Sequence, residues 1–159
     1  MATPTTERVV SVLSPGRDER RDSDGQRWSR VALGRRLGSE LLGASVYVLA
    51  PGSGTWPYHA HLANEELLLV LAGSATVRTP DGEVRVATGD AITFSRGPAG
   101  SHAVRNDGDG PCRIVIVSTM VEPEVAHFPD DDSYVVFAGA PPVPGETAPV
   151  ERRLVPPGD

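Results

Sequence analysis

Four histidines occur in the chain, and two of them, His59 and His61, are separated by a single residue. On an extended strand alternate side chains share a face, so both imidazoles project from the same side and can share one metal ion. Glu65 and Glu66 follow within five residues, and either can add a carboxylate. His102 lies about forty residues further on, at the start of another expected strand, where a barrel wall can bring it opposite the pair. Three neutral imidazole nitrogens and one carboxylate form a ligand set suited to Fe, Mn, Ni, Co, Cu or Zn.

Composition removes several competing chemistries. All 15 basic residues are arginine, which excludes a Schiff-base lysine and a P-loop lysine together. The single cysteine, Cys112, excludes an intrachain disulfide and a cysteine-rich zinc site. A net charge of −6 with no basic stripe argues against nucleic acid as a partner. No apolar run approaches the roughly 18 residues of a membrane span, and Met1–Arg8 is too polar for a signal peptide. The expectation is a soluble, cytoplasmic chain.

The elements that must position the histidines are short. Gly and Pro make up 32 of 159 residues, and aromatics only 5%, the signature of a turn-rich fold and not of a helix bundle. Between about Gly34 and Thr119, aliphatic and β-branched runs alternate with turn signals. The runs are Ala44–Ala50, Glu66–Leu71, Ala75–Thr79, Glu83–Ala87, Ala91–Ser95, His102–Asn106 and Cys112–Ser118, divided by pairs such as Pro51-Gly52 and Asp81-Gly82. This predicts an all-β sandwich or barrel over residues 34–120. If Arg78, Arg85 and Arg113 face water, then Val77, Val84, Val86, Cys112, Ile114 and Ile116 face inward. Residues 1–33 and 121–159 are expected as arms. Within them, Arg8–Leu13 can form a short strand, the charged Ser14–Arg30 reads as a solvated loop, and Ala138–Asp159 is a Pro-rich tail. A short helix near Ser39–Leu42 is allowed.

The stretch Gly54-Thr-Trp-Pro-Tyr-His59-Ala-His61-Leu-Ala-Asn-Glu65-Glu66, closed by Gly73, resembles the first motif of the cupin superfamily. Gly89-Asp90, Gly100-Ser-His102 and Asn106 resemble the second, with Ser95 where proline is usual and a loop about two residues longer before His102. The resemblance spans roughly Leu37–Thr119 and implies a small double-stranded β-helix, or jelly-roll barrel, with extended terminal arms. Six residues lie between Gly73 and Glu66, which puts Glu66 at the family's acidic ligand position. The implied metal set is therefore His59, His61, Glu66 and His102, with Glu65 turned outward.

Other residues receive plainer readings. Cys112 is a small buried hydrophobe. His127 has no partner at ligand spacing and lies beyond the barrel. Asp130-Asp131-Asp132 lacks the spaced ligands of a calcium loop. Trp56 and Tyr58 flank the H-x-H at the mouth, with Tyr58 outward, and Asn106 can hold a loop. The resulting expectation is a divalent-metal cupin, an enzyme acting on a small polar molecule inside the barrel, or alternatively a non-catalytic binding or sensing barrel. No second carboxylate, tyrosine or lysine is clearly aimed inward, which weakens decarboxylase and epimerase readings and leaves oxygenase chemistry slightly ahead of isomerase or lyase chemistry. A homodimer is expected, because exposed sheet edges favour pairing.

Overall fold

The structure is a computed structural model that describes residues 7–23, 25–137 and 150–154. The Pro-rich tail expected at Ala138–Asp159 therefore falls almost wholly outside the described residues. Fourteen strands and one five-residue helix are present among them. In chain order these are β1 (Glu19–Ser23), β2 (Gln26–Ala32), α1 (Leu33–Leu37), β3 (Leu42–Leu49), β4 (Ser53–Gly54), β5 (Ala60–His61), β6 (Glu66–Ala72) and β7 (Ser74–Thr79). They continue as β8 (Gly82–Ala87), β9 (Ala91–Phe94), β10 (Ala103–Asn106), β11 (Cys112–Thr119), β12 (Glu124–Phe128), β13 (Ser133–Phe137) and β14 (Val150–Leu154).

A six-stranded sheet runs β1-β2-β3-β11-β6-β9, a second sheet β4-β10-β7-β8, and a third β14-β13-β12-β5. All pairings within them are antiparallel. Alternation then builds the core. Trp28, Tyr47, Leu49, Leu68, Val70 and Ile114 of the first sheet meet Ala75, Val77, Val86 and Val104 of the second in one buried cluster. Each fully buried aliphatic side chain of this kind contributes about 1.5–3 kcal/mol. The opposite parity also carries apolar residues: Val31, Val46 and Val115 pack with Leu33 of α1 and with Val10 and Val12 of the N-terminal segment. The fold is all-β, a jelly-roll barrel.

Gly73 closes the turn between β6 and β7 at φ +82°, where a Cβ would sit 2.8 Å from the Pro111 carbonyl oxygen. Both the left-handed backbone and the close approach require glycine there.

Four expectations change. Arg8–Leu13 forms no strand, although Val10 and Val12 pack on the outer apolar cluster. Ser14–Arg30 is not a solvated loop: it supplies β1 and most of β2, and Trp28 anchors this charged hairpin in the core at 6% exposure. The alternation Trp28-Ser29-Arg30-Val31 carries a strand signal that the neighbouring charges mask. Val84 shares the inward parity with its partner Val77 but is exposed, because β8 is an edge strand that overhangs the core. The helix lies at Leu33–Leu37, not Ser39–Leu42, and ends at Gly38 in the left-handed conformation.

Candidate metal centre

The H-x-H segment is held at two places, by an isolated bridge and by the third sheet. His59 exchanges both backbone hydrogen bonds with His102, its N–H reaching the His102 carbonyl at 3.0 Å and receiving the return bond at 2.8 Å. Two residues later, His61 lies in β5 opposite Ala126 of β12. The first histidine is thus tied to the second motif, and the next to the C-terminal region. Extended backbone across this bridge gives both rings one face, as alternation requires.

The side chains converge. His59 Nε2 and His61 Nε2 are 3.1 Å apart, Glu66 Oε2 lies 3.5 Å from His61 Nε2, and the same oxygen is 3.1 Å from His102 Nε2. Ligand atoms of His59, His61 and Glu66 all fall within 4.8 Å of one another. Glu65 is exposed, with its backbone engaged by Thr119, so Glu66 alone of the two glutamates faces this cluster.

Hydrogen bonding at the far side of the rings suits them to a cation. His59 Nδ1 faces the Pro57 carbonyl at 2.8 Å and His102 Nδ1 faces the Gly100 carbonyl at 2.9 Å. A carbonyl accepts only, so each Nδ1 carries a proton and each Nε2 is the nitrogen turned to the centre, where a cation could take its lone pair. Burial pushes the His59 imidazolium down to about 3, helped by the neighbouring His102 and His61 rings. The ring is neutral wherever the protein is folded near neutrality. Burial pulls the Glu66 carboxyl upward, but its contacts with the His102, His61 and His59 rings outweigh it and hold the group below its usual range. Phe94 stacks on His102 with ring centroids 3.7 Å apart, and Phe128 stacks on His59 at 5.7 Å, fixing both ring planes. Oriented imidazole nitrogens beside a carboxylate are the donor set that a divalent transition metal takes.

The long loop before His102 is a pinned corner. Gly97 N–H donates to the His61 carbonyl at 2.7 Å, and Ser101 bonds back to the Pro98 carbonyl through both its N–H and its hydroxyl. A Cβ at Gly100 would lie 1.7 Å from the Ser95 carbonyl oxygen. Asn106 is fully buried and donates to the carbonyls of Leu49 and Gly110, holding a loop as the sequence suggests. Cys112 is inward and buried. Arg78 lies over the Tyr58 ring at 3.8 Å and pairs with Asp130, which places Tyr58 outward and engages the first residue of the Asp-Asp-Asp run. His127 stacks on Tyr134 instead of joining the centre.

Two residues near the centre escaped the sequence reading. Tyr47 points inward, edge-on to Trp28 at 5.4 Å, with the Trp56 side chain near its hydroxyl. Burial raises its phenol, with the Arg30 charge pulling the other way and the Glu66 charge adding to the rise. The expectation that no tyrosine or second carboxylate faces the interior is therefore corrected. β3 is apolar on both faces, so alternation by itself could not orient Tyr47; the pairing Tyr47↔Ile114 does so. The other residue is Glu124, buried at 5% exposure, whose carboxylate lies 3.8 Å from His61 Nδ1. Nothing in its spacing ties it to the two motifs.

A small antiparallel barrel with three histidines and a glutamate at its mouth defines a class of protein, and comparison with known proteins agrees. Residues 45–118 match the Cupin domain family. This part of the chain is a cupin domain. The chain is 33% identical over 99 residues to the tetracenomycin polyketide synthase protein TcmJ of Streptomyces glaucescens, covering 61% of this chain and 64% of the relative. The chain thus spans just under two thirds of that relative's length. Among solved structures, a cupin-superfamily sugar phosphate isomerase from Silicibacter pomeroyi superposes with a TM-score of 0.67 at 27% identity, over 69% of this chain and 70% of that one. The polyketide cyclase RemF from Streptomyces resistomycificus gives a TM-score of 0.52 at 25% identity, over 61% and 68% respectively.

Proposed function

We propose that the protein is a divalent-metal enzyme that acts on a small carbonyl compound at the barrel mouth by moving protons. The convergence of three imidazole nitrogens and the Glu66 carboxylate on one point, with Tyr47 on the same interior, carries this reading. His59, His61, Glu66 and His102 would hold the ion. What a bound divalent ion supplies there is Lewis acidity toward a substrate oxygen. Tyr47 keeps its proton at neutral pH, so its hydroxyl can donate to an oxyanion that develops on the substrate. Arg30, across the strand pair from Tyr47, adds positive charge on that face and is itself held by Ser45 and Glu19. Trp56, 47% exposed, lies beside the phenol.

The preference for oxygen chemistry rested on an interior without a group to move protons, and Tyr47 removes that reason. A polyketide cyclase and a sugar phosphate isomerase among the related proteins support the non-oxidative reading. Cyclising a chain of carbonyl groups and shifting a carbonyl along a sugar both require proton transfer at carbon with an oxyanion held in place. The test is turnover of an aromatic-type polyketone and of a sugar phosphate by metal-loaded protein under anaerobic and aerobic conditions. Product should form at the same rate without oxygen, and Tyr47→Phe should lower it about 10²-fold or more while metal content holds. Oxygen uptake matching product formation would restore the oxygenase reading. A chain that binds these compounds without converting them would establish the non-catalytic alternative.

A further inference from the structure

The β1–β2 hairpin brings a charged wall to the inner face of the barrel. Antiparallel pairing sets Arg21 opposite Trp28 and Glu19 opposite Arg30, and β3 continues the same two rows with Leu49 and Tyr47. Residues opposed across neighbouring strands share a face of the sheet. Trp28, Leu49 and Tyr47 all belong to the buried core cluster, so Glu19, Arg21 and Arg30 stand on the inner face with them. Arg20 has the other parity, is exposed, and pairs with Asp22.

The wall holds donors without acceptors. The Nε of Arg21 and the Nε1 of Trp28, on directly opposed residues, are both buried and lack a hydrogen-bond partner among the described residues. Buried donors are seldom left unpaired, because each forfeits its bond to water. Arg30 is oriented by its neighbours. Its Nε donates to the Ser45 hydroxyl at 3.0 Å, its Nη1 donates to Glu19 Oε2 at 3.4 Å, and its guanidinium lies 5.8 Å from the centroid of the Tyr47 ring. Glu19 can neutralise one of the two guanidinium groups on this face, which leaves a positive charge over in a chain whose net charge is −6. Arg21 and Arg30 occupy diagonal positions of the β1–β2 ladder, a spacing that long side chains bridge.

We propose that this wall is an anion subsite: Arg21 and Arg30 together receive a carboxylate or phosphate group carried by the substrate. A guanidinium presents its N–H donors in one plane and matches either group in a paired geometry. Arg30 is also the cross-strand neighbour of Tyr47, so a molecule held here by its acidic group extends past the phenol toward the histidine cluster. The substrate class narrows from a small carbonyl compound to an anionic one, and the part of the chain that selects it lies outside both cupin motifs. Only the word substrate rests on the enzymatic reading above; capture of the anion needs neither metal nor turnover.

The experiment is calorimetric titration of the full-length chain, stripped of metal so that no anion can bind to an ion, at about pH 8, above the ordinary imidazole range. The probes are benzoate, its uncharged counterpart benzamide, and inorganic phosphate. Benzoate or phosphate should bind at least about tenfold more tightly than benzamide, and Arg21→Gln and Arg30→Gln should each weaken that binding about tenfold or more. Arg20→Gln removes the same charge from the outer face and should leave the affinity unchanged. The stronger of the two anions identifies the group that the subsite takes. The proposal is overturned if neither anion binds the unmodified chain more tightly than benzamide, a result that needs no variant to fold. It is equally overturned if folded Arg21→Gln and Arg30→Gln proteins bind the anion as the unmodified chain does, or if Arg20→Gln weakens binding as much as they do. Arginine-dependent anion binding in a chain that converts neither a polyketone nor a sugar phosphate sinks the enzymatic reading and leaves the subsite standing. Turnover that is indifferent to both arginines and to the charge of the substrate sinks the subsite alone.

Discussion

Glu65 and Glu66 are adjacent residues of one type with opposite surroundings, which makes them a sharp probe of the centre. Glu66 Oε2 lies within 3.5 Å of two imidazole nitrogens, whereas Glu65 is exposed. Glu66→Gln should therefore lower metal content measured by elemental analysis about tenfold or more, and Glu65→Gln should leave it near one ion per chain, as expected from loss of a charged ligand against loss of a solvated one. Equal effects would mean that the metal lies elsewhere. The same residues set an acid limit for the metal-free protein. His59 titrates at about 3 when folded but near the ordinary imidazole value when unfolded, so between these pH values the unfolded chain binds an extra proton. Stability should fall as pH drops through this window, with a slope near 1.4 kcal/mol per pH unit from this one group. Glu66, depressed in the folded state, adds to the loss as pH falls below the ordinary carboxylate range. Urea unfolding at stepped pH values checks the slope; a flat profile from pH 6 to about 4 would show that His59 is protonated in the native state.

At the scale of elements, the strands with clean alternation and glycine-bounded turns were legible, and so was the H-x-H geometry, because period two needs no knowledge of the partner strand. What stayed hidden depended on pairing. Tyr47 sits in a strand apolar on both faces, and only its register with β11 turns it inward. Glu124 reaches the centre because β12 pairs with the two-residue β5, a contact between chain positions about 65 residues apart. The β1–β2 hairpin was concealed for a different reason: it is dense in charged residues, while Trp28 and Val31 fix it to the two apolar clusters. That dependence is testable. Trp28→Ala should cost about 3–5 kcal/mol in chemical denaturation, as for other buried aromatic truncations. A cost below 1 kcal/mol would mean that the hairpin is only loosely joined to the barrel. In the second motif, Gly100→Ala must displace the Ser95 carbonyl and with it the backbone that orients His102, so metal affinity should drop even though no ligand is altered. Unchanged Zn²⁺ binding in that variant would show that the corner yields without moving the histidine.

For the whole molecule, apolar surface left uncovered by the single chain bears on assembly. Leu41 and Leu42 are 78% and 54% exposed at the start of β3, and Leu67 is 40% exposed on the outer face of the same sheet. Exposed leucines on a sheet whose outer face is otherwise packed favour self-association. Light scattering at tens of micromolar should return twice the 16.8 kDa chain mass, and Leu67→Glu should shift it toward the single-chain value. A monodisperse species of one chain mass would rule the dimer out.

The placement of the two tryptophans gives the protein a pair of optical reporters. Trp28 is sealed in the core edge-on to Tyr47, and Trp56 stands half-exposed near that same tyrosine. Emission from the first should be blue-shifted and inaccessible to iodide, and emission from the second red-shifted and quenchable. A molecule entering the mouth should dim the quenchable fraction alone, whereas unfolding should merge the two populations. Occupancy and integrity can thus be followed in one cuvette, without a label, before any substrate has been identified.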